Sequence, residues 1–149
     1  MSQTPLSAQT DKIWQVVAKA TKPLSAYEIL DRLRQKGVRS PPTVYRALKI
    51  LEARGFIHRI ESLNAFVACS VGCAQHAKTK ASHQEDHTSA FAICRSCGRV
   101  EELRAPALDE ALSKAAKGFL QTTEKQSVEI VGLCMKCATQ EKGRKKCSR

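Results

Sequence analysis

Residues 41–69, PPTVYRALKILEARGFIHRIESLNAFVAC, decide the fold. In the first half Val44, Ala47, Leu48 and Leu51 recur at spacings of three and four, which puts an apolar stripe on one face of a helix. That helix opens at Ser40-Pro41-Pro42-Thr43. Proline is tolerated there because first-turn amides have no intrahelical partner, and Gly55 closes the helix. The period then changes. FIHRIE (56–61) and AFVAC (65–69) read as two strands joined at Ser62-Leu63-Asn64. With Leu63-Asn64 as the turn, residues whose numbers sum to 127 face each other, and His58 stands opposite Cys69.

Upstream, Ser25-Ala26-Tyr27-Glu28 is a capping box in which serine and glutamate each satisfy a free amide at a helix start. Ala26, Ile29, Leu30 and Leu33 form the buried face of that helix, and Gly37 stops it. An earlier amphipathic helix carries Ile13, Val16, Val17 and Ala20 and ends near Thr21–Pro23. Three short helices followed by a hairpin is the order of a winged helix-turn-helix, with the third helix as the recognition helix. Opposite its core stripe that helix presents Tyr45, Arg46 and Lys49, with Pro42 on the same side. Arginine reads guanine edges, while lysine and tyrosine reach phosphates. The alternative is an ordinary solvated helix face.

Downstream, residues 70–86 (SVGCAQHAKTKASHQED) lack an apolar period and read as a hinge. Strands follow at 88–94 and 99–103, then a helix with Leu108, Ala111, Leu112 and Ala115 on one side, then a strand at 127–133. Cys94/Cys97 and Cys134/Cys137 each follow a strand-like run. Two Cys-x-x-Cys pairs offer four thiolates to one tetrahedral zinc, a closed structural site with no open position for catalysis. The expected fold class is therefore α+β. A winged-helix DNA-binding domain (1–69) and the hinge (70–86) precede a small α/β dimerisation and metal-binding domain (87–149).

The net charge of +11 is uneven. Residues 1–68 carry 11 Lys/Arg against 5 Asp/Glu, residues 69–140 carry 9 against 8, and the tail 141–149 carries 5 against 1. The basic first unit fits a polyanionic partner, and the tail reads as a disordered basic arm. The chain has no apolar run of transmembrane length and no signal-peptide pattern at its start, so no membrane partner and a cytoplasmic location are expected. Seven cysteines then read as metal ligands in a reducing compartment, with Cys147 as an idle thiol.

All four histidines lie between positions 58 and 87. His58 and Cys69 on the hairpin, with His87 and Glu102 beyond the hinge, supply Cys, His, His and carboxylate. These are either one metal site or individually ordinary residues. Cys73, His76 and His83 add a further or competing set, or simply a loop with adventitious ligands.

The strings PPTVYRALKILEARGFIHRIESLNAFVAC, HTSAFAICRSCGRVEEL and VGLCMKC resemble the ferric uptake regulator family, in particular its zinc-uptake branch, over roughly residues 6–137. The resemblance implies a homodimeric, metal-dependent repressor that binds a palindromic operator in double-stranded DNA, and not an enzyme. It implies two Zn2+ per subunit: a structural ion on Cys94, Cys97, Cys134 and Cys137, and a regulatory ion on His58, Cys69, His87 and Glu102. Arg46 matches a base-reading arginine and Tyr27 a DNA-contacting tyrosine, so the expected DNA-facing set is Tyr27, Thr43, Tyr45, Arg46 and Lys49. A cysteine in the regulatory set favours zinc over the harder iron and manganese. The alternative is an iron-, manganese- or peroxide-responsive regulator on the same scaffold. The His-His-Asp-His run typical of such sensors is replaced here by Gln84-Glu85-Asp86-His87. The chain also departs from the family pattern by lacking room for an extra leading helix before the one containing Ile13.

Overall fold

The computed structural model describes residues 5–69, 89–103, 106–123 and 126–146, and for residues 89 and 141–146 it describes the backbone alone. The chain divides into two compact units, Met1–Gln84 and Glu85–Arg149.

In the first unit, α1 (Ala8–Ala18) is capped by Ser7, whose hydroxyl accepts from the Thr10 amide at 3.2 Å. The second helix, α2 (Ala26–Leu33), starts with the expected capping box. The Ser25 hydroxyl accepts from the Glu28 amide, and the Glu28 carboxylate accepts from the Ser25 amide at 2.7 Å. A single 3₁₀ turn (Arg34–Lys36) follows, and Gly37 ends it at φ 88°, a left-handed value that glycine adopts without a Cβ penalty. The third helix, α3, spans Pro41–Ala53. Ile13 and Val17 of α1, Ile29, Leu30 and Leu33 of α2, and Val44, Ala47, Leu48 and Leu51 of α3 share one core with Ile57 and Phe66 of the hairpin. The apolar stripes read from the sequence are thus the packed faces.

The hairpin pairs β1 (Ile57–Ile60) with β2 (Ala65–Ala68), and its register corrects one expectation. His58 faces Val67, not Cys69, so facing residues sum to 125. The turn is a four-residue loop closed by the Asn64 amide donating to the Glu61 carbonyl at 3.1 Å. Asn64 sits at φ 45°, a left-handed conformation that asparagine accepts better than most residues. Placing the turn centre one residue too late shifted every cross-strand pair. A third strand segment escaped the sequence reading. Leu24 bridges Phe66, with Leu24 N–H to Phe66 O at 3.0 Å and the reverse bond at 2.8 Å, tying the α1–α2 connection to the wing.

In the second unit, β3 (Ser89–Cys94) is central, with β4 (Val100–Leu103) antiparallel on one side and β5 (Ser127–Gly132) parallel on the other. The parallel pairing needs a crossover, supplied by α4 (Pro106–Ala116). The half-buried positions of α4 are Leu108, Asp109, Leu112, Ser113 and Ala116, whereas Ala111 and Ala115 are exposed. The inward face is therefore rotated from the apolar stripe expected. Ser113 belongs to it because its hydroxyl accepts from Gln126 Nε2 at 3.1 Å. The last element, α5 (Met135–Lys146), replaces the disordered arm expected over the first part of the tail. Its Lys, Arg, Gln and Glu residues are good helix formers and no proline interrupts them.

Candidate metal centre and nucleic-acid face

The four cysteines of the paired motifs meet because β3 and β5 run parallel. Cys94 ends β3 beside Gly132, the end of β5, and the Arg95 amide extends the pairing to the Gly132 carbonyl at 2.9 Å. After Cys94 the chain turns tightly: Gly98 N–H donates to Cys94 O at 2.9 Å, and Cys94 N–H to Arg99 O at 2.8 Å. Gly98 takes φ 70°, which explains a glycine one residue after Cys97. After β5, the Cys134 carbonyl accepts from the Ala138 amide at 2.9 Å, so Cys137 falls in the first turn of α5.

The ligand atoms of Cys94, Cys97, Cys134 and Cys137 all lie within 4.8 Å of one another, and the thiols are free of disulfides. Zn–S bonds near 2.3 Å in a tetrahedron imply sulfur–sulfur edges of about 3.8 Å. The Cys97 and Cys134 sulfurs are 3.9 Å apart. The Cys134 amide donates to Cys94 Sγ at 3.3 Å. That amide, followed by the amide of Cys97, brings the Cys94 thiol down to about 6. The Cys134 thiol is also lowered, first by the Cys137 amide. Cys137 is pushed up to about 12: the Ser96 hydroxyl pulls it down, but the Cys134 sulfur and burial outweigh that pull. Backbone dipoles thus prepare some thiolates, while mutual repulsion keeps protons on others. A dication at the centre resolves the conflict, and an all-sulfur donor set suits zinc. Four protein ligands on one tetrahedral ion would leave it no open position for water or substrate. Ser96 is a contributor that spacing did not reveal.

On the wing, Cys69 follows β2, and its amide donates to the Phe56 carbonyl at 3.0 Å. Because Val67 faces His58, Cys69 is the diagonal neighbour of His58 on the same side of the hairpin. The ligand atoms of these two residues are within 4.8 Å of each other, so the corrected register still leaves them within reach of one ion. In the second unit Glu102 lies on β4, half-buried and paired with Phe91. His87, Cys73, His76, His83 and Cys147 lie outside the described residues.

On α3, Pro42, Tyr45, Arg46 and Lys49 are exposed and Thr43 is half-buried, opposite the core stripe. Tyr27, on α2, is 65% exposed. The start of α3 offers little to a phosphate: Pro41 and Pro42 have no N–H, and the amides of Thr43 and Val44 donate to Ser40 O at 3.1 and 3.4 Å. A nucleic acid meeting this helix would be held by side chains. Among the described residues no helix is long and apolar enough to cross a membrane.

Comparison with known proteins places these features. A sequence model of the ferric uptake regulator family matches residues 2–131. The zinc uptake regulation protein of Escherichia coli (strain K12) is 33% identical over 137 residues, spanning 91% of this chain and 74% of that protein. The crystal structure of holo XcZur superposes with a TM-score of 0.76 at 37% identity, covering 90% of this chain and 86% of that one. A zinc uptake regulator complexed with zinc and DNA gives a TM-score of 0.79 at 32% identity, covering 93% of this chain and 87% of that one.

Proposed function

The chain belongs to the ferric uptake regulator family, and from that premise we propose that it is a zinc-responsive, dimeric DNA-binding repressor of zinc-uptake genes. The observation that carries the reading lies in the wing. His58 and Cys69, a nitrogen and a sulfur donor within 4.8 Å, sit on the hairpin that shares its core with α3. A metal held there is held by the same rigid unit that would read DNA. The solved relative bound to zinc and DNA supports both partners.

In this proposal each subunit takes two Zn2+. Cys94, Cys97, Cys134 and Cys137 hold the structural ion. His58 and Cys69, with His87 and Glu102 from beyond the hinge at 70–86, hold the regulatory one. Ligands drawn from both units would restrict the first unit, the DNA-binding domain, relative to the second, the dimerisation domain. In a two-fold dimer that restriction sets the separation of two recognition helices to match a palindromic operator. Arg46 reads a base edge, while Tyr27, Thr43, Tyr45 and Lys49 position α3 on the backbone.

The second unit supports self-association. β5 is an edge strand among the described residues, and Ile130 and Val131 on it are 54% and 57% exposed. Phe119 and Met135 are exposed as well. Apolar surface of this kind marks a protein–protein contact. Free thiols fit the reducing cytoplasm.

Duplex binding measured with zinc, iron, manganese and a chelator tests the proposal. Tight binding with zinc alone is expected, and equal binding under all four conditions would sink it.

A further inference from the structure

The start of α3 carries more proline than a helix start requires. Pro41 takes the first helical position, where a fixed φ and a missing N–H suit the fold. Pro42 follows it and removes a second amide, one that an N-cap hydroxyl could have bonded. Ser7 and Ser25 cap α1 and α2 through their hydroxyls, whereas Ser40 makes no side-chain cap at α3. Pro42 is also exposed and lies outside the core that α3 shares with α1 and α2, so packing does not call for its ring.

Its position gives the ring a use. Residues four apart lie one above the other on a helix face, so Pro42 stands one turn before Arg46, about 6 Å along the axis. Both side chains are exposed, on the side opposite the packed stripe Val44, Ala47, Leu48 and Leu51. Recognition helices address base edges with their N-terminal residues. The proline ring has neither donor nor acceptor, so a polar base edge set against it is left with hydrogen bonds unmade. The C5-methyl of thymine is the apolar group that the major groove offers. Proline also loses no rotamer freedom on contact, unlike the exposed Lys49 on the same helix.

We infer that Pro42 reads the methyl group of a thymine in the operator. Base pairs rise about 3.4 Å, so this thymine lies within about two base pairs of the base that Arg46 reads. The inference rests on the reading of the chain as a duplex-binding regulator, and deepens it by naming a second base-contacting residue and the base it selects.

The test uses the zinc-loaded full chain, its Pro42→Gly and Pro42→Ser variants, and an operator that the full chain selects from a random pool. Arg46→Ala first marks the position read by Arg46, as the one where selection relaxes. Each thymine of the half-site is then replaced by uracil in both half-sites at once, which keeps base pairing and removes only the methyl. Burial of one methyl is worth about fourfold in affinity, so a symmetric replacement should weaken the dimer about 15-fold. In the full chain that loss should fall on a thymine within about two base pairs of the Arg46 position. Both variants should bind the thymine and uracil operators equally well. The readout is a thymine-to-uracil ratio taken within each protein, so a change in helix stability cancels. If Pro42→Gly fails to fold, as judged by melting of the Trp14 signal, Pro42→Ser decides. An operator with no methyl-sensitive thymine in that window overturns the inference. So does a methyl sensitivity there that persists in either variant, which would put the contact on Tyr45 or Ile50. Failure of the regulator reading looks different: the full chain would then select no operator and show no zinc response.

Discussion

Replacing Cys94 with serine should unfold the second unit and leave the first intact. Cys94 is buried, ends the central strand, and accepts the Cys134 amide that joins the two knuckles. Beside it the fully buried core of that unit is small, with Phe91 and Ile93 as its large side chains among the described residues. Each contributes about 1.5–3 kcal/mol by burial. A structural zinc site contributes about 10–16 kcal/mol, more than the whole of a typical domain's net stability of about 5–15 kcal/mol. A serine hydroxyl stays protonated and ligates poorly, and loss of half the zinc contribution, about 5–8 kcal/mol, already matches or exceeds the about 3–6 kcal/mol supplied by those two side chains. The first unit has its own core and a private reporter. Trp14 is the single tryptophan of the chain, and its ring meets Phe56 edge-on at 5.4 Å. Thermal melting followed by Trp14 fluorescence should give the same midpoint in wild type and Cys94→Ser. Limited proteolysis and gel filtration of the variant should reveal a digestible second unit and a lost dimer, with one zinc fewer per subunit. A variant that lacks that zinc yet resists protease and stays dimeric would refute the reasoning, as would a parallel collapse of the Trp14 transition.

Cys69→Ser and His58→Ala should each remove the zinc dependence of duplex binding while leaving a folded dimer that retains its structural zinc; gel filtration with metal analysis checks both halves of that statement. Arg46→Ala should cost about 1–3 kcal/mol and relax selection at one base position, which binding to a set of single-base operator variants reads directly. Ser25→Ala should lower the stability of the first unit by about 0.5–2 kcal/mol through loss of the α2 cap. The cap is also pH-linked. The Ser25 amide, and then its hydroxyl, hold the Glu28 carboxyl below its usual 4.5. Its contribution is therefore present above 4.5 and disappears as pH falls through the lowered value. The gap between wild type and Ser25→Ala in the Trp14 melting midpoint should narrow in acid, and a gap that holds constant would contradict the cap.

Much of this was legible in the sequence because several local signals agreed. The α2 capping box, the stripe Val44-Ala47-Leu48-Leu51 and the two Cys-x-x-Cys pairs each specify local geometry through neighbouring residues alone. What failed depended on a conformation or a distant partner. The hairpin register turned on Asn64 entering the left-handed region, which the string Ser62-Leu63-Asn64 permits without requiring. The Leu24–Phe66 bridge joins residues far apart in sequence. On α4 the apolar stripe misled because alanines are indifferent to exposure, whereas Ser113 was drawn inward by Gln126. The tail's charge suggested disorder, but the lysines and arginine of its first part are also helix formers, and residues 141–146 continue the helix whose first turn follows Cys134. The pairing of His58 with Cys69 survived a wrong register because a shift of two positions keeps a residue on the same face.

The central claim is that zinc and DNA are coupled through ligands on the wing. Coupling is reciprocal: a zinc ion that tightens DNA binding about 100-fold, worth about 2.7 kcal/mol, must itself be bound about 100-fold tighter when operator is present. The direct measurement is zinc affinity of the regulatory site, by competition with a chelator, in the presence and absence of operator duplex. The account predicts a tightening by the same factor that zinc confers on DNA binding, abolished in Cys69→Ser. A zinc affinity indifferent to DNA would contradict it.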